Sequence, residues 1–132
     1  MIGDWEDETV TQRKRGLAFC VPVIAGASET ARTFCKEAFD TRRAELSASR
    51  RALGSSRETV VLNHTPAGDI AAVYIEADDP VAANRGFAAS QSPFDTWFKQ
   101  QCARIFPPDI DFNQPLPPIT EVFDSQEFLV AP

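Results

Sequence analysis

Arg42 is the residue whose setting first suggests chemistry. On a helix read at about 100° per residue it falls at the centre of an apolar side, after Cys35 and Ala38 and before Leu46, with Glu45 and Ser49 on the same side. An arginine so placed offers five fixed donors, which suit it to hold an anionic or enolate oxygen. The competing reading is a structural ion pair, with Glu45 at i,i+3 or with a carboxylate on the sheet. His64, the only histidine, is the one side chain whose ordinary pKa lies near neutrality, so it is a candidate general base; it also stands one residue from a turn, where solvated histidines are common. Tyr74, the only tyrosine, could move a proton or orient a carbonyl oxygen, or serve as an amphipathic interface residue. The catalytic candidates are therefore Arg42, His64, Tyr74 and Glu45, and the candidate ligand contacts are Arg42, Ser49, Asn63 and Trp97.

Other groupings have simpler explanations. Glu76, Asp78 and Asp79 resemble a metal cluster, yet helix capping accounts for the aspartates and no histidine lies near, so no metal is expected. Phe94, Trp97 and Phe98 could wall a flat ligand, but at helical spacing such residues usually build core. Cys20, Cys35 and Cys102 are odd in number and widely spaced, which points to reduced thiols. Gly-x-Ser-x-Gly and a glycine-rich phosphate loop are both missing from the sequence, so serine hydrolysis and nucleotide binding have no support and no cofactor is expected.

Stepping from residues to elements, Leu17–Ile24 is apolar on both alternating faces, as in a strand covered twice. Ser28 can cap a helix that runs to about Leu53, with Gly54 just beyond its end. Glu58–Thr65 and Asp69–Glu76 read as a hairpin joined by Pro66-Ala67-Gly68. Paired in that register, His64 faces Ile70, Leu62 faces Ala72, and Val60 faces Tyr74. One face then carries Val60, Leu62, His64, Ile70, Ala72 and Tyr74, and the other Val61, Asn63, Ala71, Val73 and Ile75. His64 and Tyr74 sit too far apart along the strands to form a dyad. Asp79-Pro80 and Ser92-Pro93 begin two more helices, the second with Ser92 and Asp95 spaced as a capping box. A proline-rich loop leads to a last strand at Ile119–Phe123.

At 132 residues the chain suits one core, with 43% hydrophobic and 24% charged residues, as in ordinary globular proteins. A net charge of -6 opposes binding to a phosphate backbone, so nucleic acid is not an expected partner. No stretch is apolar enough for a signal or a membrane span, and a cytoplasmic location is expected. The organisation reads as a flexible arm at 1–15, one domain at 16–124 and a tail at 125–132, where Phe128-Leu129-Val130 could add an edge.

The β-α-β-β-α-β order makes the fold α+β, a ferredoxin-like antiparallel sheet with helices on one face. The apolar patch of Val60, Leu62, Ile70, Ala72 and Tyr74 away from the helices calls for a second copy, so a homodimer is expected. Several runs carry a family resemblance: Arg42-Arg43-Ala44-Glu45-Leu46, SRRALG at 49–54, TPAGD at 65–69, VYIEADDP at 73–80, FAASQSPFDTWFKQQ at 87–101, and QPLP followed by EVFD. Over about residues 17–124 the chain resembles an uncharacterised bacterial family similar to the dimeric α+β barrel superfamily. That superfamily includes antibiotic-biosynthesis monooxygenases, polyketide cyclases and muconolactone-isomerase-like proteins. His64 departs from the family pattern. The resemblance implies a small-molecule cavity between helices and sheet, with Arg42 as the polar anchor for an apolar or aromatic metabolite. The implied activity is that of a cofactor-independent isomerase, cyclase or oxygenase on an enolisable or aromatic substrate. A non-catalytic accessory or ligand-sensing module is the alternative.

Overall fold

A computed structural model describes residues 15–126, so the expected arm up to residue 14 and the Phe128-Leu129-Val130 run lie outside the described residues. The strands are β1 (Arg15–Pro22), β2 (Ser55–Thr65) and β3 (Gly68–Ala77). The helices are α1 (Ser28–Lys36), α2 (Arg43–Ala52), α3 (Pro80–Ala89) and α4 (Pro93–Ile105), with a π-helical turn at Glu37–Thr41 between α1 and α2. The sheet is antiparallel in the order β1-β3-β2, which makes the fold α+β. Residues 119–123, expected as a fourth strand, form irregular backbone, and Val122 and Phe123 are 90% and 74% exposed. Pro115, Pro117 and Pro118 just before them have no N–H for a ladder. The segment meets the start of β1 through a side-chain contact, Arg15 Nη1 to Glu121 Oε1 at 3.3 Å.

The hairpin is tighter than its sequence suggests. Thr65 pairs with Gly68 and His64 with Asp69, so the loop is Pro66-Ala67 and the register shifts by one residue. Thr65 Oγ1 closes the turn by accepting from the Ala67 N–H (3.2 Å) and donating to the Gly68 carbonyl (2.6 Å). Gly68, at φ 124°, takes a positive φ that only glycines adopt among the described residues. A one-residue slip exchanges the faces of a whole strand. Val60, Leu62 and His64 therefore share a face with Phe19, Val21, Ala71, Val73 and Ile75, while Val61 and Asn63 join Ala18, Cys20, Ala72 and Tyr74 on the outer face. The expected outer patch thus loses Val60 and Leu62, its largest aliphatic pair on β2, to the helical side.

The long helix expected from Ser28 to Leu53 is two helices joined by the π turn. Arg42, at φ -104° and ψ 31°, leaves helical geometry between them. A π turn inserts one residue, which rotates everything after it by about 100° relative to an unbroken wheel. Arg42 moves off the centre of the apolar side, and Arg50 moves onto it. Ser28 does not cap α1; its hydroxyl donates to Asp69 Oδ2 at 2.5 Å, tying α1 to the hairpin end. The caps of α3 and α4 form as expected, through Asp79 and Ser92 accepting from Ala82 and Asp95 N–H.

The core joins Val23, Ala27, Ala31, Phe34 and Ala38 to Ala71, Phe94, Phe98, Cys102 and Ile105. Most of these are small. The bulky sheet residues Phe19, Val60, Leu62, Val73 and Ile75 are only half-buried although they face the helices, because they enclose a space rather than one another.

Candidate functional site

That space is a cavity of about 560 Å³ between the sheet and the helices. Its size falls in the roughly 300–1,000 Å³ range of small-molecule sites. Val60, Leu62, Val73 and Ile75 form its floor, and Phe34, Phe39, Phe87 and Phe98 come from the helical side. The chain after α4 runs across it: Phe106 and Phe112 pack at 5.5 Å between ring centroids, and the Leu116 N–H donates to Asn84 Oδ1 at 2.8 Å.

Four charged side chains line the cavity: Asp109 and Asp111 are exposed residues of the chain after α4, whereas Arg50 and Glu58 are largely buried in its wall. Arg50 on α2 donates from Nε to Glu58 Oε1 on β2 at 2.7 Å, and the two side chains are 12% and 10% exposed. The guanidinium lies over Phe87 and Phe98, 4.9 and 4.7 Å from the ring centroids. Its Nη1 donates to Ser49 Oγ at 3.0 Å and reaches Asp95 Oδ1 at 3.4 Å. Ser49 Oγ itself donates to Asp95 Oδ1 at 2.5 Å. The capping box at Ser92 is consequently half used: Ser92 caps Asp95, but the Asp95 carboxylate turns to Ser49 and Arg50. Arg50 is thus fixed by two aromatic rings and three polar partners. Glu58 Oε1 receives Arg50, whereas no described residue donates to Oε2.

All three thiols, Cys20, Cys35 and Cys102, are among the residues lining the same cavity. Burial, and secondarily the Glu58 carboxylate, pushes Cys35 up from the ordinary thiol value, and the same causes push Cys102 up to about 12. Cys102 is therefore a neutral thiol near physiological pH. A second, more polar hollow, lined by Ser47, Arg51, Ser56 and Arg57, shares Arg50, Ser55, Glu58 and Phe39 with the cavity. The Arg50–Glu58 pair stands between the two.

Of the aromatic residues read from sequence as a possible ligand wall, only Phe98 lines the cavity, and none of the catalytic or ligand-contact candidates Arg42, Glu45, Ser49, Asn63, His64, Tyr74 and Trp97 does. Arg42 binds Glu45 through two hydrogen bonds of 2.9 and 2.8 Å and lies over Trp97, 4.1 Å from its centroid. The hydrogen bond between them raises Arg42 and lowers Glu45 from their ordinary values. His64 Nδ1 lies 2.7 Å from Asp69 Oδ1 at the exposed hairpin end. Hydrogen bonds from Ser28 and then His64 hold the Asp69 carboxyl below the usual carboxylate value. Tyr74 occupies the opposite, outer face, where its hydroxyl donates to Glu76 Oε2 at 2.9 Å. Partial burial and that hydrogen bond raise its phenol above the ordinary value. A Cβ on Gly16 would meet the Tyr74 ring at 2.7 Å, so glycine is what lets the ring lie flat across β1. Asn63 is exposed on the same outer face. Trp97 packs between Phe34 and Phe94. Ser49 comes nearest to the site, by positioning Arg50.

Arg50 and Glu58 escaped sequence reasoning because an unbroken helical wheel puts Arg50 on the polar side. The eight-residue separation of a helix-end arginine from a strand glutamate, with Gly54 turning the chain between them, was the available signal. Comparison with family models, curated proteins and solved structures gives no match.

Proposed function

We propose that this protein binds a small, largely apolar organic molecule in the cavity between its helices and its sheet, with the Arg50–Glu58 pair as the polar anchor. The observation that carries this reading is a space of about 560 Å³ walled mainly by aliphatic and aromatic side chains, with one buried ion pair in the wall and the polar residues Asn84, Asp109, Asp111 and Gln114 also lining it. Covering apolar surface is favourable by about 25 cal/mol per Å² removed from water, so an apolar molecule seated against these walls is stabilised there. Binding to the native state alone raises its melting temperature. Naphthalene is a suitable probe: wild type should bind it saturably at one site, while Val73→Trp, which fills the floor, should not. Failure of wild type to bind, or equal binding by the filled variant, contradicts the reading.

A catalytic form of the proposal is favoured by a Glu58 oxygen that no described residue donates to, beside a cation. On an enolisable substrate Glu58 would take the proton, and only that neutralisation of Glu58 would leave Arg50 charge to stabilise the oxyanion, as in an isomerase or cyclase. The accessory or ligand-sensing alternative keeps the same cavity without turnover. We further place the chain among the dimeric α+β barrel proteins. The order β1-β3-β2 leaves one edge of β1 without a strand among the described residues, the edge a fourth ferredoxin-like strand would take. Ile119, Val122 and Phe123 lie exposed nearby, which supports a homodimer in which this segment is covered. Cys20, Cys35 and Cys102 are free thiols, which suits the cytoplasm.

A further inference from the structure

Glu58 carries a constraint on the ligand that the cavity volume alone does not. Its side chain is nine-tenths buried, its Oε1 is occupied by Arg50, and no described residue donates to its Oε2. A buried carboxylate oxygen without a donor is costly, whereas a hydrogen bond to a charged acceptor is among the stronger ones a ligand can make. Lys99 does not supply it, because its ammonium is engaged by the carbonyls of Phe87, Ala88 and Ser90. Arg50 does not offer a free positive charge either, since Glu58 and Asp95 both bear on it. A carboxylate or phosphate entering the cavity would face an already neutralised guanidinium and the repulsion of Glu58. The rest of the lining is mainly aromatic and aliphatic, and its other charged residues, Asp109 and Asp111, are carboxylates that add to the repulsion of an anion.

We infer that the ligand is a neutral aromatic or polycyclic molecule bearing a hydroxyl group, as a phenol or an enol, and that this hydroxyl donates to Glu58 Oε2. The inference rests on the cavity being a ligand site and adds the chemical class that the site selects. Arg50, held flat over Phe87 and Phe98 and tied to Ser49 and Asp95, acts as a positioning residue: it fixes which Glu58 oxygen is left for the ligand.

Three probes of one shape separate this claim from the one beneath it. Naphthalene, 2-naphthol and 2-naphthoate are titrated by calorimetry at neutral pH against wild type and Glu58→Gln. Wild type should bind 2-naphthol about ten-fold or more tighter than naphthalene, the factor expected for a hydrogen bond to a charged group, and 2-naphthoate most weakly. Glu58→Gln should still bind naphthalene, lose most of the naphthol advantage, and gain affinity for naphthoate because Arg50 loses its counter-charge. If naphthalene binds but 2-naphthol gains nothing in wild type, or keeps its whole advantage in Glu58→Gln, the hydroxyl inference is overturned and the cavity reading stands. If wild type binds none of the three, both fall. Should Glu58→Gln not fold, Glu58→Asp decides: it keeps the charge but withdraws the oxygen, and an undiminished naphthol advantage would overturn the inference.

Discussion

At the residue scale, burial and hydrogen bonding sort groups of similar chemistry into different behaviours. Cys102, buried and pushed up to about 12, should resist iodoacetamide at pH 8, whereas exposed Cys20 should be alkylated. Intact mass measured before and after unfolding checks this, since the protected thiol should be modified only once the chain is denatured. Asp69 makes the complementary case. Its folded pKa lies below the unfolded value of about 3.9, so the stability it contributes is present above that value and is lost as pH falls through the folded pKa. Ser28 is the largest cause of the depression. Ser28→Ala should therefore be less stable than wild type near neutrality, with the two denaturation midpoints converging in acid. A constant gap across the range would mean that Ser28 acts through packing instead. The Arg50–Glu58 pair is the residue-scale feature with the largest stake: Arg50→Ala leaves Glu58 buried and unpaired, and should cost about 3 kcal/mol or more in a denaturant titration.

At the element scale, single-residue insertions and slips decide which side chains meet. The π turn at Glu37–Thr41 brings Arg50 to the cavity. Deleting Asp40, an exposed residue of that turn, should restore a continuous helix, turn α2 by about 100° and part Arg50 from Glu58. The expected reading is a lowered melting temperature together with lost naphthalene binding. Asn84 holds the strap that follows α4 through the Leu116 amide. In Asn84→Ala that amide should exchange faster with solvent while the β2–β3 amides keep their protection. The elements themselves were largely legible: the three strands, the caps at Asp79 and Ser92, and Gly54 beyond α2 follow from local patterning. What was hidden is what local patterning cannot encode. Pro66-Ala67-Gly68 is compatible with a two- or a three-residue loop, and the choice reverses the faces of β2. Nothing in the residues 37–41 announces a π turn, and the choice there exchanges Arg42 for Arg50.

At the scale of the whole molecule, a cavity lies where a chain of this size would ordinarily pack solid, and apolar side chains near the end of the described chain lie in water. The proposed small ligand would fill the first, and the proposed second copy would cover the others. If the copy covers residues 119–123, wild type should sediment as a dimer, and Phe123→Asp should shift it to monomer without loss of helical signal. A wild-type monomer at micromolar concentration would remove the homodimer from the account. The ligand site is the more central matter, and the most direct test is where a bound probe lies. In an NMR spectrum of the complex with naphthalene, the probe's protons should show intermolecular NOEs to the methyl groups of Val60, Leu62 and Val73 and to the Phe98 ring. NOEs to Val61, Ala72 and Tyr74 instead would put the probe on the outer face of the sheet and contradict the account.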